Sequence, residues 1–298
     1  MSTVLPDLSE ALADAVATAG ASLVRVEGRD RLPATGIVWD ADGLILTAHH
    51  VLERDENINV GFEDGETAAA EVLGRDPGTD LALLRTPKRG SNVPTWAEPE
   101  SLQVGHLALA LGRPGATVQA TLGIVSALGK AWRTSAGGPV DRYLQTDTVM
   151  YPGFSGGPLV DAQGRFIGLN SSALVRGVSI TLPAPTLNRV AKDLQEHGSV
   201  RRAYLGVGAQ PTRLPDALAE ELGQETGLLL VSVEQGSAAE KGGLFVGDTL
   251  VSLGESPVRH MDDLFNALDG DRIGKPLTVR ILRGGESVEL TVSPASHS

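Results

Sequence analysis

The 298 residues contain no cysteine, which excludes disulfides, thiolate zinc sites and a cysteine nucleophile. Aromatic side chains are scarce, at three Trp, three Tyr and five Phe, and residues 1–25 hold none. A basic excess is also missing. With 25 basic and 37 acidic side chains the formal charge is −12, which argues against a nucleic-acid backbone or an anionic membrane as the main partner. No apolar run approaches the roughly 20 residues of a membrane-spanning helix. The start, Met1-Ser-Thr-Val-Leu-Pro-Asp7, has no basic segment followed by an apolar core. As it stands the chain is expected in the cytoplasm, and a precursor trimmed of an export signal would place it in the periplasm or outside the cell.

What the chain has instead is glycine, 36 residues of it, together with short runs rich in Val, Ile, Leu and Thr. Such runs favour strands joined by tight turns. Leu8 to Ala19 suits a short amphipathic helix or a loose lead-in. Ser22 to Glu27, then Gly36-Ile-Val-Trp39 and Leu44-Ile-Leu-Thr47 about the turn Asp40 to Gly43, begin a strand meander. It continues through Asn59 to Phe62, Ala69 to Leu73 and Leu81 to Leu84. A second set runs from Leu107 to Leu182, and the division near Thr86 to Val104 suits a pair of small barrels. Pro185 to His197 reads as a helix with Leu187, Val190, Ala191 and Leu194 on one face and Gly198 as its stop. The pattern then restarts as mixed α+β over roughly a hundred residues, enough for a second small domain. Its helix candidates are Pro215 to Leu222 and Met261 to Leu268.

The most informative stretch for chemistry is Pro152-Gly-Phe-Ser-Gly-Gly-Pro158. A nucleophilic serine needs a tight turn that exposes its hydroxyl, with backbone N–H groups directed at the oxyanion that develops beside it. An ordinary glycine-rich turn explains the stretch alone equally well. A base is required next. Thr47-Ala-His-His-Val51 ends a strand and offers two adjacent histidines. A carboxylate must hold the imidazole in one tautomer. Asp76 and Asp80 both precede the strand Leu81 to Leu84; Asp76-Pro-Gly is explained as a turn, whereas Asp80 has no such local role. His106, His197, His260 and His297 form no ligand spacing, so no metal site is expected.

Thr47 to Val51, Thr79-Asp-Leu-Ala-Leu83 and Gly153-Phe-Ser-Gly-Gly-Pro-Leu159 resemble, in order, the three signature segments of trypsin-like peptidases. Leu111-Gly-Arg-Pro114, Thr121 to Ser126 and Gln145-Thr-Asp147 narrow the resemblance to the HtrA/Deg branch, as does the following domain. The resemblance implies a mainly β protein, a trypsin-like double β-barrel followed by a small α+β PDZ domain. Its divisions are a lead-in at 1–21, the peptidase domain at 22–198, a linker at 199–203 and the PDZ domain at 204–298. By position it implies His50 as general base, Asp80 as its orienting carboxylate and Ser155 as nucleophile. The backbone N–H groups of Gly153 and Ser155 would form the oxyanion hole. No metal or organic cofactor is implied. Val149, six residues before the nucleophile, and the loop residues Asn170, Ser171 and Ser172 would line the substrate site, giving an aliphatic preference at the cleavage position. Asp147 is acidic in relatives without belonging to the triad.

Departures from the family pattern are as specific. Phe154 stands where this branch has Asn, and there an aromatic is expected to reshape the surface or the resting state of the loop. The connection Gly28 to Ala34 is short, and Asn170 to Val178 looks abbreviated. Relatives often trimerise through aromatics near the N-terminus, which this chain lacks; a homo-oligomer is compatible with the sequence, but that trimer is not supported by it. Tyr204-Leu-Gly-Val207 resembles the carboxylate-binding loop of PDZ domains, in which an added strand pairs with a sheet edge. Leu205, Val207, Leu264, Phe265 and Leu268 would accept an apolar C-terminal side chain, plain core packing being the alternative for each. The expected function is an ATP-independent serine endopeptidase acting on unfolded or damaged polypeptides, with peptide C-termini as partners of the PDZ domain. The alternative is a catalytically weak protein of the same fold that binds peptides as a chaperone.

Overall fold

The computed structural model describes residues 4–89, 92–268 and 270–296. His297 lies outside the described residues. The chain forms two compact units, Met1–Val200 and Arg201–Ser298.

The first unit opens with helix α1 (Val4–Gly20). Its Ala15 and Ala19 are buried in the unit's core, while Val4, Leu5 and Leu8 are exposed. Six strands then close a barrel: β1 (Leu23–Glu27), β2 (Ala34–Val38), β3 (Leu44–Ala48), β4 (Ile58–Gly61), β5 (Thr67–Asp76) and β6 (Leu81–Arg85). Their order is β1-β2-β3-β6-β5-β4, with β4 pairing back to β1. β2 and β3 are buried at every position, which explains their unbroken apolar runs.

A second barrel takes β7 (Leu107–Gly112) and β8 (Gln119–Leu128), then, after a small hairpin of β9 (Trp132–Arg133) and β10 (Pro139–Val140), β11 (Leu144–Thr146), β12 (Pro158–Val160), β13 (Phe166–Ser171) and β14 (Ser179–Pro183). The order is β11-β14-β13-β12-β7-β8, closed by β8 on β11. Helix α2 (Ala184–His197) follows directly. It buries Leu187, Val190, Ala191 and Leu194 and ends at Gly198, whose φ of 73° is left-handed and whose N–H caps Leu194. The helical stripe and stop read from the sequence are therefore present residue for residue.

The second unit carries a five-strand path with one side strand. After β15 (Ala203–Tyr204) come β16 (Val207–Arg213), α3 (Asp216–Leu222), β17 (Thr226–Val233), α4 (Ala238–Lys241), β18 (Thr249–Leu253), β19 (Ser256–Pro257), α5 (Met261–Ala267), β20 (Leu277–Arg283), β21 (Glu286–Val292) and β22 (Ala295–Ser296). The sheet order is β16-β17-β18-β20-β21, so β16 is an edge strand, and β15 pairs with β22. The four-residue α4, too short to show a periodicity, had no signal of its own in the sequence; Ser237 caps it by accepting the Glu240 N–H. Both barrels and the α+β unit match the architecture that the resemblance implied.

Candidate active site

Strand pairing assembles the polar centre of the first unit. The β3–β6 register pairs Ala48 with Leu81, so the next residues out, the His49-His50 turn and Asp80, meet at the barrel's end. The His49 N–H donates to the Asp80 carbonyl at 2.9 Å and the His50 N–H to Asp80 Oδ1 at 2.9 Å. His50 Nδ1 lies 2.7 Å from Asp80 Oδ2. Asp80 holds this pose with φ of 59°, a left-handed conformation that Asp adopts more readily than most residues. Its carboxylate is almost wholly buried, and the imidazole is about one-quarter exposed.

The two alternatives that the sequence left open occupy other roles. Asp76 accepts from the Gly78 and Thr79 N–H groups and from the Thr79 hydroxyl, an Asx turn at the head of β6. His49 turns toward Arg75, with Nδ1 3.4 Å from a guanidinium nitrogen. Burial, followed by the Arg75 charge, lowers the His49 pKa below the usual imidazole value. Asp147 accepts the Ile124 N–H at 2.6 Å and takes no part in the His50–Asp80 pair.

Ser155 sits on a loop of the second barrel that is fastened to the first. The Thr35 hydroxyl, on β2, donates to the Gly153 carbonyl at 2.7 Å and accepts from the Arg113 N–H at 2.8 Å. The Thr35 N–H donates to the Ser155 carbonyl at 3.3 Å. Gly156, at φ of 87°, lies so close to β2 and β3 that a Cβ would stand 2.0 Å from the Thr35 carbonyl and 2.4 Å from Thr47 Oγ1. Only glycine fits there. The N–H groups of Phe154, Gly156 and Gly157 donate to Tyr151, Asn170 and Phe154 carbonyls. Those of Gly153 and Ser155 donate to no protein acceptor among the described residues. Two unengaged N–H groups flanking a serine can stabilise an oxyanion.

Phe154 is wholly buried, among Ala108, Ala110, Val125, Leu144, Leu159 and Ile167. The surface role expected for it is therefore corrected: it anchors the loop from beneath. The signal was available in β7, where Ala108, Ala110 and Gly112 alternate with leucines; a Cβ on Gly112 would stand 2.6 Å from the Phe154 ring.

The expected substrate-loop residues divide. Val149 is half exposed, its carbonyl held by the Thr121 hydroxyl at 2.8 Å. The Asn170 side chain is fully buried, donating to the Pro158 carbonyl and accepting from Thr181, so the expectation that it faces a substrate is corrected. The Ser171 hydroxyl donates to Asp80 Oδ2 at 2.5 Å, making it a third partner of that carboxylate. Ser172 Oγ lies 2.9 Å from Ser155 Oγ. Both hydroxyl contacts escaped the sequence reading. Ser155 itself makes no hydrogen bond to His50 among the described residues. Among those residues no group of three or more His, Asp or Glu could hold a metal ion, and no helix is long and apolar enough to cross a membrane.

In the second unit, the Leu205 and Gly206 carbonyls accept from Ala239 and Glu234 N–H groups. In trans peptides this turns the following N–H groups, of Gly206 and Val207, the opposite way. Tyr204 donates its hydroxyl to Glu234 at 2.6 Å, and this bond, with burial, raises its pKa. Leu205, Leu264 and Leu268 belong to the core, the alternative foreseen for them, whereas Val207 is half-buried and Phe265 exposed.

Residues 34–169 match the trypsin-like peptidase domain family and residues 203–293 the PDZ domain family. A protein of Chlamydia trachomatis named "Probable periplasmic serine endoprotease DegP-like" is 32% identical over 275 residues, covering 90% of this chain and 55% of that protein. The chain thus spans about half the length of that relative. A Synechocystis protein named HhoB is 31% identical over 280 residues, covering 89% of this chain and 67% of its own. Among solved structures, the HtrA-type protease AlgW with a tripeptide aligns at a TM-score of 0.77 and 30% identity over 96% of this chain and 97% of its own. AlgW with a decapeptide gives 0.79 and 26% over 96% and 99%. The chain belongs to the HtrA-type family of trypsin-like serine proteases and carries one PDZ domain.

Proposed function

We propose that the chain is an active serine endopeptidase that hydrolyses unfolded or damaged polypeptides without ATP. Ser155 attacks the scissile carbonyl, His50 takes its proton and returns it to the leaving amine, and Asp80 holds the imidazole with its proton on Nδ1. The Gly153 and Ser155 N–H groups receive the oxyanion. Water then hydrolyses the acyl-enzyme. The observation that carries this reading is the pair of consecutive hydroxyls, Ser171 on Asp80 and Ser172 on Ser155. Consecutive residues at the end of β13 thereby link the proposed nucleophile to the carboxylate bonded to His50. The proposed division is a peptidase over 22–198 joined through 199–203 to a PDZ domain over 204–298. Of the compartments left open above, the name of the Chlamydia relative favours the periplasm.

Casein digestion tests the reading. Wild type should cleave, and Ser155→Ala should lose on the order of 10⁴-fold or more in turnover. A wild type that neither digests casein nor reacts with a fluorophosphonate would refute it. One observation favours the chaperone-like alternative, namely that the Ser155 hydroxyl faces Ser172 instead of His50. An inert wild type that still slows aggregation of a denatured protein would select that alternative.

For the PDZ unit we propose that an extended peptide adds to the free edge of β16, its carboxylate meeting the Gly206 and Val207 N–H groups and its last side chain lying against Val207 and Phe265. The peptides named with AlgW lend support to this reading. A peptide ending in an apolar residue should bind at least about tenfold more tightly than its amidated twin, because charge-assisted bonds to the carboxylate are lost on amidation.

A further inference from the structure

We propose that Ser172 is a positioning residue that competes with His50 for the Ser155 hydroxyl and so sets the rate of acylation. This rests on the peptidase reading above. Ser155 Oγ has one proton to donate, and general-base catalysis needs it directed at the imidazole. Among the described residues the only hydroxyl bonded to it is Ser172 Oγ, at 2.9 Å, where either oxygen can donate. With Ser155 as donor, Ser172 takes the proton that His50 needs, while the Ser172 N–H donates to Ser155 Oγ at 3.4 Å. Ser155 is nearly buried and Ser172 is exposed, so Ser172 lies on the solvent side of the nucleophile.

The competitor is held in place by the same carboxylate that orients the base. Ser171 donates to Asp80 and accepts from the Ala173 N–H at 3.2 Å, which fixes residues 171–173 over the site. The Ser172 backbone is therefore kept near Ser155 while Ser171 remains on Asp80. When Ser155 donates to His50 it no longer donates to Ser172. The fraction of enzyme with a productive hydroxyl is the population of that second rotamer, and its rate of acylation scales with it. No bond of the reaction itself is altered. The interaction acts before the first covalent step.

A single neutral hydrogen bond of ordinary net strength biases such an equilibrium about fivefold. Ser172→Ala should therefore react with a fluorophosphonate about fivefold faster than wild type. With a peptide substrate it should raise kcat by a similar factor and leave KM unchanged. Ser172→Thr keeps the hydroxyl and should return to the wild-type rate, which a general loosening of the loop would not do. The side chain is exposed, so both variants should fold. Wild type labelled at the same rate as Ser172→Ala, or faster, overturns the role of Ser172 and leaves the peptidase reading standing. If wild type, Ser172→Ala and Ser172→Thr all resist the reagent while Ser172→Ala digests no casein, both readings fail together.

Discussion

The two units build their sites from different materials. In the barrel unit the site consists of single polar atoms, each fixed by a partner far away in sequence. Thr35 holds Gly153 across 118 residues, and Ser171 holds Asp80 across 91. In the PDZ unit the proposed site is a strip of backbone along β16, bounded by half-buried Val207 and exposed Phe265. A centre of the first kind has little tolerance for displacement, since hydrogen bonds weaken steeply with distance and angle. A strand edge offers several equivalent donors and acceptors and tolerates substitution around it. Function in the first unit should therefore depend on individual atoms, and function in the second on the integrity of a surface.

The contrast is open to direct attack. Its largest expected effect is at Asp80. Asp80→Asn keeps the shape of the carboxylate but favours the wrong imidazole tautomer, and casein turnover should fall on the order of 10⁴-fold with the fold intact. Two alanine substitutions then set the units side by side. Gly156→Ala forces a Cβ into the Thr35 carbonyl at left-handed φ and should cost more than about 3 kcal/mol in urea unfolding. Gly236→Ala, at φ of 75° with nothing within 4 Å, should cost only about 1 kcal/mol. Equal losses would show that the two units are equally intolerant.

An effect smaller than that at Gly156 concerns Asp248, the buried carboxylate of the PDZ unit. Burial pushes its pKa up, but the Arg283 hydrogen bonds, the Phe245 N–H and the Arg283 charge together outweigh that, and the net shift is downward. A carboxylate depressed on folding contributes stability that is complete above its unfolded pKa, about 4, and is lost as pH falls through the lower folded value. Because Arg283 is partly exposed, Asp248→Asn should cost about 2 kcal/mol at neutral pH. The difference between wild type and variant should shrink in acid. Hydrogen exchange of β18 and β20 amides in the whole chain measures both.

Legibility of the sequence followed the range of the interactions. Strands β2, β3 and β6, the α2 stripe with its Gly198 cap, and the three signature segments were readable because each is a local pattern. Asp80 could be separated from Asp76 for the same reason, since a turn explains one and not the other. The roles of Ser171 and Ser172 were not readable beyond a general assignment to the substrate loop. They depend on β12 pairing with β13 so that Pro158 opposes Leu169, a register only barrel closure sets. Asn170 was misplaced for the related reason that alternation along β13 decides which side chain turns inward, and its last residues carry no apolar signal of that alternation. The surface arm of the Phe154 expectation failed because its pocket is written on β7, more than forty residues earlier, as small side chains rather than as a motif.

Thr35 gives the assembly a built-in order. Its hydroxyl sits on β2 of one barrel and seats the Ser155 loop of the other, so a half-folded chain with a single barrel closed would lack that anchor. On the peptidase reading proposed above, such a half-folded chain would be inactive. One threonine on β2 thereby ties the proposed activity to completion of both barrels.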